Sequence, residues 1–332
     1  METSPTEAGR ARVDIGEPRS APRVSVITPA YNAAAFIAET IRSLRAQDFE
    51  DWEHVVVDDG STDGTADAVA AVRDERLRLL RQANMGQSAA QNAGLAVARG
   101  SFVVMLDADD RLLPGTLSRL LEALAAAPQA IVAYGGAWFI DEAGRPFGKR
   151  PRIRGHPPQD CLEAFLGRNL LPTGGAAMIR ADALRDAGGF DPTLVMAQDW
   201  ECWCRLALRG PFVKIGGDPV IEYRIRAGSV SRVKAVEPSS QAAATEAAFG
   251  HPEIRRRVPA ARARRLRRRR EANILYLVGI EAIRAHHRAR ARRSLAGCLL
   301  RQPAHARAGL LLVLCTIRWL PEIVRRRLSV DR

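Results

Sequence analysis

The 332-residue sequence lacks several features that define common protein classes. Its apolar stretch at 308–320 is shorter than the roughly 20 residues that a helix needs to span a bilayer. The five cysteines are an odd number, and no charged-then-apolar signal segment precedes residue 24, so we expect a reducing, cytoplasmic location. No GxGxxG follows the first apolar run and no GxxxxGK[ST] occurs, which argues against a dinucleotide oxidoreductase and a P-loop NTPase.

The net charge of +13 is distributed unevenly. Residues 255–332 carry 22 arginines and 4 acidic residues, whereas the rest of the chain carries 28 basic and 33 acidic residues. A mildly acidic module joined to a cationic tail suggests that the tail addresses an anionic surface independently of the chemistry. Residues 1–22 are polar and proline-rich without an apolar period, and we expect them to form a disordered leader.

Short β-branched runs alternate with helix-like stretches from residue 24 onward. The runs lie at 24–28, 54–58, 77–80 and 102–107, and further strands are predicted at 131–134, 173–180 and 219–225. Continuous apolar runs are typical of strands that are covered on both faces. The sequence therefore predicts an α/β fold with a mostly parallel sheet flanked by helices, including helices at 117–126 and 199–209.

Polar residues follow three of the predicted strands, at the carboxyl ends where open parallel sheets bind ligands. PAYN follows the first strand, DDGSTDGT the second and DADD the fourth. Asp107 and Asp109 alternate at the end of a buried strand, so their carboxylates can address one hard divalent cation, Mn²⁺ or Mg²⁺, that bridges two phosphates. Taken alone, such a pair is more often a solvated turn or a helix cap.

These motifs agree with others further along the chain: NMGQSAAQNAG at 84–94, GGFD at 188–191 and QDWECWCRLA at 198–207. In order and spacing the whole set resembles the nucleotide-diphospho-sugar glycosyltransferases of glycosyltransferase family 2. The resemblance covers about residues 23–233 and is specific, because several separated motifs agree. It implies a GT-A-like, Rossmann-like catalytic domain at 23–233, followed by a basic helical tail at 234–332.

The resemblance implies a binding surface for a nucleotide-sugar donor. In it the PAY residues would line the base, Asp58 or Asp59 would accept a hydrogen bond from the pyrimidine ring, and Asp107 and Asp109 would serve the ribose and the metal. Tyr31 could equally pack against the sheet. The implied donor residues are Pro29, Ala30, Tyr31, Asp58, Asp59, Arg81, Asn84, Gly86, Asp107 and Arg226, with Asp109 and Asp107 as metal ligands.

Asp199 matches the catalytic base of the family, the acid of its Glu-Asp or Gln-Asp motif. A helix is also predicted to begin there, where Asp is a favoured cap and the helix dipole favours the ionised carboxylate. Gly174, Gly175 and Trp200 are the implied acceptor residues, although Trp200 can equally pack against the sheet. The implied reaction is an inverting single displacement, in which Asp199 takes the proton of an acceptor hydroxyl.

The chain departs from the family pattern at 223–226. Many relatives read Tyr-Arg-x-His, whereas this sequence reads YRIR, with Arg226 in the place of the His. An arginine cannot ligate a cation but can form a forked contact with phosphate oxygens. We therefore expect Arg226, or Arg224, near the diphosphate, and no third protein ligand to the metal.

Several alternatives remain at this stage. The implied acceptor is a hydroxyl of a glycan or of a lipid-linked molecule, and UDP is preferred over GDP or dTDP by family habit alone. For the tail, attachment to an anionic membrane surface is favoured, a helical bundle that covers the catalytic domain is second, and nucleic-acid binding is third. The competing functions are a lectin-like scaffold without turnover and a nucleotidyltransferase. A nucleotidyltransferase needs a glycine-rich, basic loop after its first strand, and PAYN is neither glycine-rich nor basic.

Overall fold

The computed structural model describes residues 12–13, 21–146, 161–226 and 238–316. Most of the predicted leader, and the last residues of the basic tail, lie outside these ranges. The strands are β1 (Arg12–Val13), β2 (Val24–Ala30), β3 (Trp52–Asp59), β4 (Leu77–Gln82), β5 (Phe102–Met105), β6 (Arg111–Leu112), β7 (Val132–Tyr134), β8 (Ala137–Ile140), β9 (Ala177–Arg180), β10 (Phe212–Lys214) and β11 (Ile221–Arg224).

Helices separate most of these strands and fill the C-terminal region, as the sequence predicts. They are α1 (Ile37–Arg45), α2 (Thr65–Ala70), α3 (Gln87–Val97), α4 (Thr116–Ala126), α5 (Leu162–Gly167), α6 (Ala181–Asp186), α7 (Gln198–Leu206), α8 (Ala242–Gly250), α9 (Pro252–Arg257), α10 (Ala260–Arg284), α11 (Arg288–Arg301) and α12 (Ala306–Thr316). Short 3-10 turns lie at Gly174–Ala176 and Pro238–Gln241.

The main sheet has the strand order β1-β4-β3-β2-β5-β9-β7-β10. Strands β4, β3, β2 and β5 run parallel, whereas β9 is antiparallel to β5 and to β7. Every residue of β2 and β3 is buried, which explains why their apolar runs are continuous rather than alternating. The predicted mostly parallel sheet flanked by helices is confirmed.

The strand predicted at 173–180 forms only in its second half. Residues 174–176 make a 3-10 turn, and β9 begins at Ala177. A Cβ added at Gly174 would lie 3.0 Å from the carbonyl oxygen of Met105, and one at Gly175 would lie 2.5 Å from Cδ1 of Ile221. The two glycines permit a close approach to β5 that side chains would prevent, so this segment packs against the sheet rather than pairing with it.

Two buried polar clusters lie along β3. Glu53 accepts hydrogen bonds from Ser25 Oγ at 2.7 Å and from the backbone N–H and Nε of Arg99 at 2.7 and 2.9 Å. The neighbouring His54 shares a 2.8 Å hydrogen bond with Thr28 Oγ1. Burial lowers the pKa of His54 to about 3, with a small opposing effect from the charge of Asp74, so its ring is neutral in the folded protein.

Contacts divide the chain into two units that are interleaved in sequence. Unit 1 comprises Met1–Gly136, Thr173–Thr193 and Val213–Tyr223, and it contains most of the main sheet. Unit 2 comprises Ala137–Pro172, Leu194–Phe212 and Arg224–Arg332. The C-terminal helices therefore cluster with two segments from the middle of the chain, and the division does not follow the linear boundary expected at residue 233.

The C-terminal helices of unit 2 form a core of their own. Helices α10, α11 and α12 contribute Ile283, Leu295 and Leu311 to one buried apolar cluster. In the part of the chain that the structure describes, no helix combines the length and apolar character needed to cross a bilayer. These helices are thus a packed layer whose arginines are divided between exposed and buried positions.

Candidate active site

The carboxyl ends of β2, β3 and β4 lie side by side in unit 1. The strand register pairs Ala30 with Asp58, and Asp58 with Arg81. Beyond Ala30 the chain leaves the sheet, and the Tyr31 side chain is 52% exposed. An exposed aromatic ring beside this edge is suited to stack on a planar base. Pro29 and Ala30 are buried residues of β2 that set the direction in which Tyr31 projects.

Asp58 is buried and contacts the exposed arginine next to it. Its Oδ1 accepts the backbone N–H of Ser61 at 3.0 Å, and its Oδ2 lies 3.4 Å from Nε of Arg81. The Arg81 side chain is 64% exposed, so most of its guanidinium group faces solvent. This arrangement anchors an arginine at the sheet edge with its N–H groups available to an anionic ligand.

Both carboxylate oxygens of Asp59 accept hydrogen bonds from the protein itself. Oδ1 accepts Nε2 of Gln82 at 2.7 Å and the N–H of Met85 at 2.9 Å, and Oδ2 accepts the N–H of Gly86 at 2.8 Å. Asp59 therefore holds the 83–86 loop, which carries the exposed Asn84. Of the two predicted base-binding acids, the structure gives Asp59 this loop-holding role, and Asp58 remains the candidate for direct contact.

Gly60 explains how the two loops approach each other. Its φ is +74°, and a Cβ there would lie 2.8 Å from the backbone nitrogen of Asn84. Both the left-handed conformation and the lack of space favour glycine at this position.

The DADD motif follows β5 with alternating exposure. Asp107 and Asp109 are half-buried, whereas Ala108 and Asp110 between and after them are buried. Thr40 Oγ1 lies 2.9 and 2.8 Å from the carbonyl oxygens of Ala108 and Asp110, which fixes the backbone of the motif. Asp107 and Asp109 are therefore the more accessible acidic residues of the motif, as the predicted metal site requires.

Two residues without an assigned role orient Asp107. Gln87 Nε2 donates to Oδ1 at 3.0 Å, and Thr173 Oγ1 donates to Oδ2 at 3.3 Å. Both lie within motifs that the sequence analysis singles out, at 84–94 and 173–175. Their contacts with Asp107 arise from tertiary packing, so spacing alone could not reveal them.

The donor set at this edge fits a hard divalent cation. Asp107 and Asp109 supply carboxylate oxygens, the ligands that Mg²⁺ and Mn²⁺ prefer. Within the described ranges, no group of three or more His, Cys, Asp or Glu residues could hold a metal. A cation bound by two carboxylates needs its remaining ligands from phosphate oxygens and water, as is usual for Mg²⁺ with nucleotides.

Asp199 lies in the first turn of α7, in unit 2. Its Oδ1 accepts the N–H of Trp200 at 2.7 Å, and Oδ2 lies 3.4 Å from Nδ2 of Asn169. Burial raises the pKa of Asp199, while the Trp200 N–H, the charge of Arg270 and the Asn169 amide oppose the rise. A carboxylate with a raised pKa is a stronger base than an ordinary aspartate.

Trp200 differs from the expected acceptor platform. The side chain is fully buried, and its Nε1 donates to the carbonyl oxygen of Phe165 at 2.6 Å. The guanidinium carbon of Arg270 lies 3.8 Å from the centre of the ring. Because Arg270 occupies a ring face, Trp200 supports the start of α7 from inside unit 2 rather than offering an open surface for a sugar.

The predicted phosphate arginines also separate by burial. Arg224 is buried, and its Nη1 donates to the carbonyl oxygen of Glu142 at 2.9 Å, so it anchors the turn after β8. Arg226 is half-buried at the end of a described range. Arg226 is therefore the remaining candidate for the predicted diphosphate contact.

Known proteins are similar to this chain in sequence and in fold. Residues 25–188 match the model of glycosyl transferase family 2. The succinoglycan biosynthesis protein ExoO of Rhizobium meliloti is 32% identical over 249 residues, which span 69% of this chain and 68% of that protein. The putative teichuronic acid biosynthesis glycosyltransferase TuaG of Bacillus subtilis is 31% identical over 217 residues, 64% of this chain and 83% of TuaG.

Solved structures share the fold at lower identity. TarS of S. aureus, crystallised with UDP-GlcNAc, has a TM-score of 0.63 and 19% identity, covering 93% of this chain and 90% of TarS. The mannosyltransferase PcManGT of Pyrobaculum calidifontis, in complex with GDP-Man and Mn²⁺, has a TM-score of 0.58 and 22% identity, covering 96% and 88%. These likenesses support the GT-A-like fold.

Proposed function

This chain belongs to glycosyl transferase family 2 and is a glycosyltransferase, and we propose that it transfers a sugar from a UDP-sugar to a hydroxyl group with inversion at the anomeric carbon. The observation that carries the donor assignment is the edge formed by Asp58, Arg81, Asp107 and Asp109 beside the exposed Tyr31. It combines an aromatic surface, an exposed cation and paired carboxylates, which match a base, a phosphate and a phosphate-bound metal.

In the proposed complex, Asp107 and Asp109 would hold Mg²⁺ or Mn²⁺, in keeping with the general use of divalent cations in this family. A cation there would offset the negative charge that develops on the departing diphosphate. Gln87 and Thr173 keep the Asp107 carboxylate oriented. Arg81, and Arg226 as a second cation, would bind phosphate oxygens that the metal leaves exposed.

For the transfer itself we propose Asp199 as the general base. The acceptor oxygen forms its bond to the anomeric carbon as Asp199 takes the hydroxyl proton, and the bond from that carbon to the diphosphate oxygen breaks. The raised pKa of Asp199 supports this role, because burial makes the carboxylate a better proton acceptor. Around Gly174 and Gly175 the chain packs tightly on β5, and we propose the surface beside this turn for the acceptor.

The relatives guide the choice of acceptor. ExoO and TuaG are named for the biosynthesis of succinoglycan and of teichuronic acid. We therefore propose that this enzyme extends a glycan of the cell envelope, on a free or lipid-linked acceptor. Such an acceptor would place the enzyme on the inner face of the cell membrane.

An exposed cationic patch in unit 2 supports the membrane proposal. Arg262, Arg265 and Arg269 lie one or two turns apart on α10 and are exposed. Arg269 lies beside Gly167 at the end of α5. Burial is the largest cause that lowers the pKa of Arg269, and the neighbouring charges of Arg168, Arg262 and Arg265 lower it further. We call these four arginines the α5–α10 patch. Its only described carboxylate partner is Glu163, bound by Arg262 at 2.7 Å, so the patch keeps an excess of positive charge for anionic headgroups.

Calorimetric titration with UDP, GDP and dTDP, with and without Mn²⁺ or Mg²⁺, tests the donor site. We expect UDP to bind with metal present and Asp109→Ala to weaken this binding at least about tenfold, since a metal ligand is lost. Asp67→Ala, which removes an exposed acid on α2, is the matched control and should bind like the wild type. Metal-independent binding that Asp109→Ala leaves unchanged would refute the metal assignment, and binding of none of the three nucleotides would refute the donor site.

A further inference from the structure

Arg270 is a buried arginine supplied by the C-terminal helix α10. Its residue is only 6% exposed, and its Nε has no hydrogen-bond partner among the described residues. Nη2 donates to Oε1 of Gln241 at 3.0 Å, and the guanidinium group stacks on the ring of Trp200. Burial lowers the pKa of Arg270 to about 10, while the charge of Asp199 favours its protonated form. Burying a cation lowers the free energy of unfolding unless its interactions in the fold compensate for the lost hydration.

The same face of α10 reaches the segment that precedes the site of Asp199. Asn273 lies one turn beyond Arg270, and its Nδ2 donates to the carbonyl oxygen of Gly167 at 3.0 Å. Two residues further along, Asn169 directs its amide toward Oδ2 of Asp199. Asp199 has two described hydrogen-bond partners, Trp200 and Asn169. Helix α10 contacts the first through Arg270, and the segment that leads to the second through Asn273.

Other ionisable groups near this arrangement lie on α7 itself. Cys202 and Cys204 are buried, and burial raises the pKa of both thiols, so both are neutral. Glu201 is buried, but Arg205 binds it in a two-point ion pair at 2.7 and 2.8 Å. Arg168 and Arg269 also lie nearby, at the end of α5 and on α10. Arg270 is the arginine whose charge acts on the pKa of Asp199, and its described contacts are Gln241 and the Trp200 ring rather than a carboxylate.

We propose that Arg270 is a positioning residue for Asp199, holding Trp200 in place and favouring the ionised carboxylate through its buried charge. This inference rests on the proposed role of Asp199 as the base. It makes the basic C-terminal region part of the reaction machinery, since α10 carries both Arg270 and Asn273. The exposed α5–α10 patch and the buried Arg270 then give one helix two separate tasks.

The test compares full-length Arg270→Met and Arg270→Lys with a matched control, Arg267→Met. Arg267 lies on the same helix and is ion-paired with Glu246 and Glu271, so its replacement removes an arginine of α10 that does not contact Trp200. The first readout is a ¹³C NMR titration of the Asp199 carboxyl carbon, assigned by its loss in Asp199→Asn. We expect Arg270→Met to raise the midpoint by about one pH unit and Arg267→Met to leave it unchanged. Arg270→Lys keeps the charge but loses the planar stack, so a smaller rise is expected.

The second readout is release of UDP from a panel of UDP-sugars, with water or added glycan as the acceptor. In Arg270→Met the acid limb of the kcat profile should move up with the NMR midpoint, and kcat at pH values on that limb should fall about tenfold, as a shift of one pH unit implies. The KM for the donor and the affinity for UDP should not change, because the described contacts of Arg270 are Gln241 and Trp200, and neither is a proposed donor residue.

Distinct outcomes separate this inference from the proposed function. If Asp199→Asn keeps full turnover, Asp199 is not the base and the proposed mechanism fails. If Asp199→Asn is inactive while Arg270→Met matches Arg267→Met in midpoint and kcat profile, the role of Arg270 alone is refuted. A uniform loss of thermal stability and activity in both arginine variants, without a change in midpoint, would also refute it and leave Arg270 a structural residue.

Discussion

Burial raises the pKa of Asp199, whereas the proposed reaction uses its ionised form. A carboxyl group whose pKa is higher in the folded than in the unfolded protein favours folding only when it is protonated. That contribution is complete below the unfolded pKa and is lost as the pH rises through the folded pKa. At neutral pH, ionised Asp199 therefore lowers the free energy of unfolding.

We predict that Asp199→Asn lowers turnover by about 10²–10⁴-fold and raises the midpoint of thermal unfolding at pH 7.5. The gain in stability should disappear toward pH 4, where the wild-type carboxyl group is protonated as well. Scanning calorimetry at both pH values and UDP-release assays provide the measurements. Asp182→Asn is the control: Asp182 is the second residue of α6, makes the same Oδ1 contact with the following N–H at 2.7 Å, and is exposed. A stability gain equal at both pH values would contradict the prediction.

For single residues, the sequence predicted which side chains follow each strand, because motifs mark those positions. It could not predict which partners these side chains contact, because those contacts depend on tertiary packing. Strand geometry suggested that Asp107 and Asp109 share a side of the chain; in the structure β5 ends at Met105 and both residues lie in the turn that follows, half-buried. By contrast, neighbouring Asp58 and Asp59 could not be told apart. Their difference arises because the 85–86 backbone returns to Asp59, a contact that depends on how β4 and its loop pair with β3.

Helix α10 shows the corresponding limit for a whole element. The run RARRLRRRR predicts a helix with positive charge but offers no apolar period to show which arginines face inward. In the structure Arg270 is buried and Arg267 is ion-paired, while Arg265 and Arg269 are exposed. The packing of the helix against α5 and α7 divides the run into buried and exposed arginines, which the sequence pattern could not show.

The exposed side of this helix gives a second prediction. Wild-type protein should co-sediment with vesicles containing phosphatidylglycerol and not with vesicles of phosphatidylcholine alone. The double variant Arg265→Glu/Arg269→Glu should bind the anionic vesicles at least about tenfold more weakly, since each basic residue near the surface contributes about 1 kcal/mol.

The control for that experiment is Arg42→Glu/Arg73→Glu, which makes the same change in net charge on exposed positions of unit 1. It should bind the anionic vesicles like the wild type. Equal loss in both double variants would mean that net charge, rather than the α5–α10 patch, determines attraction. Unchanged binding of Arg265→Glu/Arg269→Glu would refute the patch as the membrane contact.

Across the whole molecule, acid should reduce stability before ordinary carboxyl groups begin to titrate. His54 is neutral in the fold, with a pKa of about 3, but in the unfolded chain it takes up a proton near its ordinary value of 6.5. Stability is therefore full above pH 6.5 and falls as the pH drops toward 3. At pH 5 the loss from this one group is about 2 kcal/mol.

Replacing His54 with Gln should remove most of the stability change between pH 6.5 and pH 5, although the variant starts from a lower stability at pH 7. Urea unfolding followed by tryptophan fluorescence at pH 5.0, 5.75 and 6.5 measures the slope. A His54→Gln slope equal to that of the wild type would contradict the buried neutral ring.

The mostly parallel character of the sheet could be predicted because the apolar runs of its strands are continuous, and the C-terminal region was predicted to be helical. The interleaving of the two units could not, because it depends on pairing α5 and α7 with a helix far along the chain. Contacts such as Asn273 with Gly167 join residues that no local pattern connects.

This interleaving has a consequence for synthesis on the ribosome. Helices α5 and α7 are synthesised many residues before α10. The ring of Trp200 therefore stays uncovered until Arg270 of α10 has been translated. Until then an indole group and the neighbouring apolar surface are exposed to other nascent chains. We expect polypeptides that end at premature stop codons before residue 270 to leave Trp200 uncovered and to be substrates for chaperones and proteases.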